Sequence, residues 1–105
     1  MNIIEECMKM TSFGGQAKSL ALQAIANARE GDLPLARSAM EEAEKYLHKS
    51  HEAHANLLGM DAEQEDTTGG IPVSFFMMHA SDHLSSANTV FVLAKELILI
   101  YERGR

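Results

Sequence analysis

Tryptophan is missing from this chain, cysteine occurs once, proline twice, and aromatic residues make up only 6% of the 105 positions. Each shortage removes a class of structure. The single cysteine, Cys7, cannot form an internal disulfide, so the sequence carries no mark of an oxidising compartment. With so few prolines, long stretches can run as uninterrupted helix. A core without tryptophan must be aliphatic, built from Ala, Leu, Ile and Met. Such a light core is thin for an isolated subunit of this length, which points toward oligomerisation. Basic residues are scarce as well: nine against fifteen acidic ones give a net charge of −6. That excludes the basic stripe of a nucleic-acid binder and disfavours docking on anionic lipid. Glu5 and Glu6 stand where a secretory signal would need a basic segment before an apolar run. The longest apolar stretch, Phe91 to Tyr101, is interrupted by Lys95 and Glu96 and is too short to span a bilayer. The chain therefore reads as one cytoplasmic domain over residues 1–105, with no membrane insertion.

What is present is helical periodicity. Hydrophobic residues at 46% and charged residues at 23% match soluble globular chains. Three helices are predicted, over about residues 2–29, 33–64 and 72–103. In the first, Ile3, Cys7, Met10, Gly14, Ala17, Ala21, Ala24 and Ala28 form a seam of mostly small residues that lets a neighbouring helix approach closely. Gly14 and Gly15 are candidates for a kink or a break in it. Asp32 is the expected N-cap of the second helix, with Pro34 tolerated in its first turn. Asp61 to Gly70, acidic and then rich in Thr and Gly, reads as a surface loop, and Pro72 as the first residue of the third helix.

That third helix carries two apolar lines. Val73, Met77, Ala80, Leu84, Ala87, Phe91, Ala94, Ile98 and Tyr101 repeat at alternating spacings of four and three. Beside them run His79, Asp82, Ser86, Val90, Leu93, Leu97 and Ile100. One line suffices to pack on two other helices, so the second is expected to pack against copies of itself. The fold class is thus all-α, an antiparallel three-helix bundle that assembles with itself.

The densest polar cluster, Met77-Met78-His79-Ala80-Ser81-Asp82-His83, places His79, Asp82 and His83 on one helix face. Three readings fit that spacing. His79 and His83 could hold a metal, although the glutamate of the paired-histidine zinc motif is missing. One histidine could be a nucleophile oriented by its neighbours. The cluster could also be a solvated polar patch at a helix start. A second set, His48, His51 and His54, steps by three along the second helix and raises the alternative of a histidine-rich metal bundle, but no Glu-x-x-His pair accompanies it.

Pro72 to Arg103, with Met-Met-His-Ala-Ser-Asp-His-Leu followed by a long apolar helix, resembles the lactose/cellobiose-family enzyme IIA of the bacterial sugar phosphotransferase system. Gly15-Gln16-Ala17-Lys18-Ser19 resembles that family's Gly-x-Ala-Arg/Lys-Ser segment, and Gly31-Asp32 with Ala36 and Glu41 to His51 extend the likeness over nearly the whole chain. The resemblance implies a homotrimer of three-helix subunits. It implies that a histidine, by motif position His79, takes a phosphoryl group from the phosphocarrier HPr and passes it to a cysteine of a cognate enzyme IIB during uptake of a β-linked disaccharide of cellobiose, lactose or chitobiose type. It also implies a supporting histidine, His83, and a divalent metal on the trimer axis bound by Asp82 of each subunit. Carboxylate oxygens suit a hard ion such as Mg2+. The sequence departs from the pattern at Ser81, where some members carry Gln, at His54, where several carry Gln, and in a longer Asp61–Gly70 segment. A neutral imidazole can attack phosphorus without a separate base, and no phosphate loop or kinase signature is present, so a carrier fits better than a kinase. The alternative is a structural or adaptor bundle bridged by metal, without phosphotransfer.

Overall fold

The computed structural model describes residues 2–68 and 70–104, with the side chains of 64–68 left aside. Three helices make up the fold: α1 (Ile3–Arg29), α2 (Leu33–Thr68) and α3 (Phe75–Arg103). They form a rod of 58 × 19 × 19 Å. Helix α1 begins at Asn2, whose Oδ1 accepts from the backbone N–H of Ile4 and Glu5. It ends at Arg29 with Glu30 as C-cap, and Gly31 follows at φ 90°, where a side chain would be strained. Asp32 then caps α2, its Oδ1 accepting from Leu35 N–H at 3.0 Å.

Helices α1 and α2 run antiparallel. Ser50 Oγ, fully buried, donates to the Met10 carbonyl at 2.9 Å, and Asn56 Nδ2 donates to buried Glu6 at 3.1 Å. Helix α3 runs parallel to α1, with Gly14 beside His83 and Lys18 beside Ser86. The small-residue seam sets this arrangement. Cys7, Met10, Ala17, Ala21, Ala24 and Ala28 have no exposed surface, so α1 lies between its neighbours, while α2 and α3 meet each other far less. Leucine in place of Ala21 would overfill that seam, and we expect a loss of about 1–3 kcal/mol in urea unfolding.

Three expectations need correction. The glycine pair does not interrupt α1, which is continuous. A Cβ at Gly14 would lie 3.4 Å from Ser50 Oγ and 3.5 Å from the His83 carbonyl, so this glycine marks where three helices converge. The segment from Asp61 is not a loop. Helix α2 continues to Thr68, because Ala62, Glu63, Gln64 and Glu65 favour helix and the next glycine after Gly59 comes only at 69. Nor does Pro72 open α3. The helix starts at Phe75 behind the N-cap Ser74, whose hydroxyl accepts from Met77 N–H at 3.2 Å.

The two lines of α3 separate cleanly. Ala80, Leu84, Ala87, Phe91, Ala94 and Ile98 are buried, while Val73, outside the helix, is exposed. None of the second line is buried in the single chain: Leu93 is 56% exposed and Ile100 63%. Val92 and Leu99 widen this outward apolar face. As a whole, α3 is long and apolar enough to cross a membrane, contrary to the expectation drawn from Phe91–Tyr101 alone, but its inner face forms the bundle core.

Candidate functional site

The start of α3 is fixed by a short crossing from α2. Gly70 adopts φ 113°, and Asp61 Oδ1 accepts from Ile71 N–H at 3.0 Å. The Ile71 side chain is buried in the core. This clamp and the Ser74 cap set the rotation of α3, and with it the direction of the second-turn histidine. His79 is exposed and His83 half-buried. Their Nε2 atoms lie 3.1 Å apart, and the rings meet edge to face at 81° with centroids 4.5 Å apart. A hydrogen bond between two ring nitrogens requires one to carry the proton and the other a lone pair. The pair is therefore a matched donor and acceptor, which the spacing of four suggested without revealing.

Asp82 points elsewhere. It is exposed and lines an open groove of about 480 Å³ with Val73, Met77, Met78, Ser81 and Ser85. Among the described residues no three His, Cys, Asp or Glu side chains converge as a metal cluster within one chain. The second-helix histidines also diverge. His48 Nε2 lies 2.9 Å from Glu52 Oε1 on the surface, His51 Nε2 lies 3.2 Å from Asn88 Oδ1 of α3, and half-buried His54 borders a 150 Å³ cavity with Leu57, Ile71 and Met77. They share no centre. Burial pushes the Cys7 thiol up, and the neighbouring Glu6 adds to this, so the one cysteine is a protonated core residue.

Sequence reasoning missed one polar contact. Lys18 Nζ donates to Ser86 Oγ at 3.0 Å, joining α1 to the histidine face of α3. The spacing is intelligible only once Gly14 is seen against His83: Lys18 follows the one by a turn, as Ser86 follows the other.

Residues 5–102 match the family model described as "PTS system, Lactose/Cellobiose specific IIA subunit". The chain belongs to that family. The lichenan-specific phosphotransferase enzyme IIA component of Bacillus subtilis is 38% identical over 90 residues, which are 86% of this chain and 78% of the relative. The galactose-specific EIIA component of Lactococcus lactis is 39% identical over 85 residues, 81% of this chain and 70% of the relative. Among solved structures, the cellobiose-specific enzyme IIA of Bacillus anthracis superposes with a TM-score of 0.88 at 28% identity, covering 98% of this chain and 91% of that one. The IIA(Chitobiose) of Escherichia coli, solved in complex with HPr, superposes with a TM-score of 0.81 at 30% identity, covering 98% and 96%. This IIA chain is thus a phosphotransferase-system component with the all-α fold of its structural neighbours.

Proposed function

We propose that the chain is a phosphoryl carrier whose acceptor is His79, loaded by HPr and unloaded onto the cysteine of a cognate enzyme IIB, in cytoplasmic support of the uptake of a β-linked disaccharide. One observation carries the assignment to His79: it is the exposed member of a histidine pair whose Nε2 atoms are 3.1 Å apart. With His83 Nε2–H donating, His79 is held with its proton on Nδ1 and a lone pair on Nε2. As the His83 N–H turns from His79 to the incoming phosphoryl oxygens, that lone pair is freed and attacks phosphorus, while the donor's P–N bond breaks and its electrons return to the donor's nitrogen. The His83 N–H is then within one hydrogen bond of the incoming phosphoryl oxygens. Such a relay depends on positioning and charge stabilisation more than on covalent machinery. The HPr complex of the E. coli relative supports the donor, and relatives named for lichenan, lactose, cellobiose and chitobiose support the sugar class. The test is incubation with the phosphoenolpyruvate-dependent upstream relay. Acid-labile phosphate at one per chain is expected, and its absence would refute the carrier reading.

The working unit in this reading is a homotrimer joined through the outward face of α3. The Asp82 side chain lies on that face without a hydrogen bond or ion pair among the described residues, which suits it to share a metal. One carboxylate per chain makes no site, but three brought together by symmetry would make one for a hard ion such as Mg2+. The ion would supply countercharge, since an assembly carrying three times the chain's −6 gathers like charges at its axis. Chelator should lower the melting temperature of the wild-type assembly and leave an Asp82→Asn assembly unmoved. Equal sensitivity in both would place any metal elsewhere.

A further inference from the structure

The histidine pair contains no fixed positive charge, yet a phosphohistidine carries close to two negative ones. Several of the chain's cations are engaged away from that pair. Lys9 pairs with Glu6 at 3.3 Å, Arg37 with Glu102 at 3.4 Å, Lys49 lies over the rings of Phe13 and Tyr46, and Lys95 over that of Phe91. Lys18 is the cation set against the histidine stripe of α3. It is half-buried, has no carboxylate within ion-pair distance among the described residues, and spends its ammonium on the hydroxyl of Ser86. Ser86 stands one turn beyond His83 and two beyond His79 on the same stripe of α3. Gly14 brings the α1 backbone against α3 at the His83 carbonyl, which seats Lys18 one turn further along both parallel helices.

We infer that Lys18 is the countercharge of the phosphorylated state, parked on Ser86 while His79 is bare and drawn toward the phosphoryl oxygens once the group is in place. This rests on the carrier reading of His79. A hydroxyl is a neutral partner that holds an ammonium without neutralising it, so the charge stays available. The lysine stem is long and flexible, and helical side chains lean toward the N-terminus, which is the direction from Ser86 to His79. In the transfer itself Lys18 keeps all its protons. The phosphoryl group moves between nitrogens as before, and the ammonium acts only on the negative charge of the three oxygens.

The experiment compares phosphorylation equilibria with phosphorylated HPr for wild type, Lys18→Met, Lys18→Arg and Ser86→Ala, with circular dichroism as the folding control. Lys18→Met should hold about tenfold less phosphate at equilibrium, as expected for loss of a charge-assisted interaction. The gap from wild type should narrow in high salt. Lys18→Arg should restore most of the difference, and Ser86→Ala, which leaves the charge in place, should stay within about twofold of wild type. An unchanged equilibrium in Lys18→Met, a defect that arginine fails to rescue, or a tenfold fall in Ser86→Ala would overturn the inference. If the wild-type chain takes no phosphate at all, the carrier reading itself fails, and that outcome is separate from these.

Discussion

His79→Ala is expected to take up no phosphate from the phosphoenolpyruvate-dependent relay while remaining as helical as the wild type. On the proposed assignment the nitrogen that would bond to phosphorus is removed outright, so the effect is complete rather than graded. Folding is spared because His79 is exposed and alanine is the stronger helix former. His83→Ala should behave differently. It leaves the acceptor nitrogen and removes the donor 3.1 Å away. Losing a hydrogen bond to a charged group is worth roughly 1.5–3 kcal/mol, which corresponds to about a 10- to 100-fold slower or less complete transfer. Variants of His48 and His51, engaged with Glu52 and Asn88, should transfer at the wild-type rate. Rapid-quench assays with radiolabelled phosphoenolpyruvate separate these outcomes. Label persisting in His79→Ala would remove His79 as the acceptor, and complete loss in His83→Ala with full transfer in His79→Ala would exchange the two roles.

The parts of this molecule that were legible in advance are those written in local spacing. The seam from Cys7 to Ala28, the inner line from Ala80 to Ile98 and the Asp32 cap each follow from side chains within a turn or two of one another. The differences lie where composition misleads or where a distant residue decides. The α2 terminus looked like a loop because acidic residues and threonines resemble one, but nothing in the segment before Gly69 disallows helix. The start of α3 was misplaced at Pro72 because the clamp that holds the crossing extended is made by Asp61, ten residues earlier in the chain. The site divides the same way. Spacing put His79 and His83 on one face, whereas their difference in exposure depends on how α1 packs against α3 at Gly14. Lys18 was visible only as part of a resembling segment. Its contact with Ser86 spans 68 positions and leaves no local signal.

Replacing both Leu93 and Leu97 with aspartate is expected to turn the proposed homotrimer into monomers. In the single chain these two side chains stand out from α3 at 56% and 40% exposure, together with Val92, Leu99 and Ile100. Burying a leucine stabilises by about 1.5–3 kcal/mol, and in a symmetric trimer each substitution is repeated in every subunit. The aspartates add the cost of bringing carboxylates together in a partly desolvated interface, on chains that already repel one another at −6 each. The combined change exceeds what holds a modest interface, so dissociation should be complete at micromolar concentration. Sedimentation velocity reads this directly: a single trimeric boundary for the wild type and a monomeric one for the double variant. Neither leucine belongs to the buried line of α3, so the variant monomer should keep its helical content. A phosphorylation assay on that monomer then asks whether the histidine pair works alone. Both Nε2 atoms come from one α3, so slow labelling of His79 is expected to survive dissociation. A wild-type chain that sediments as a monomer would mean that the outward face of α3 is covered by something other than a second copy.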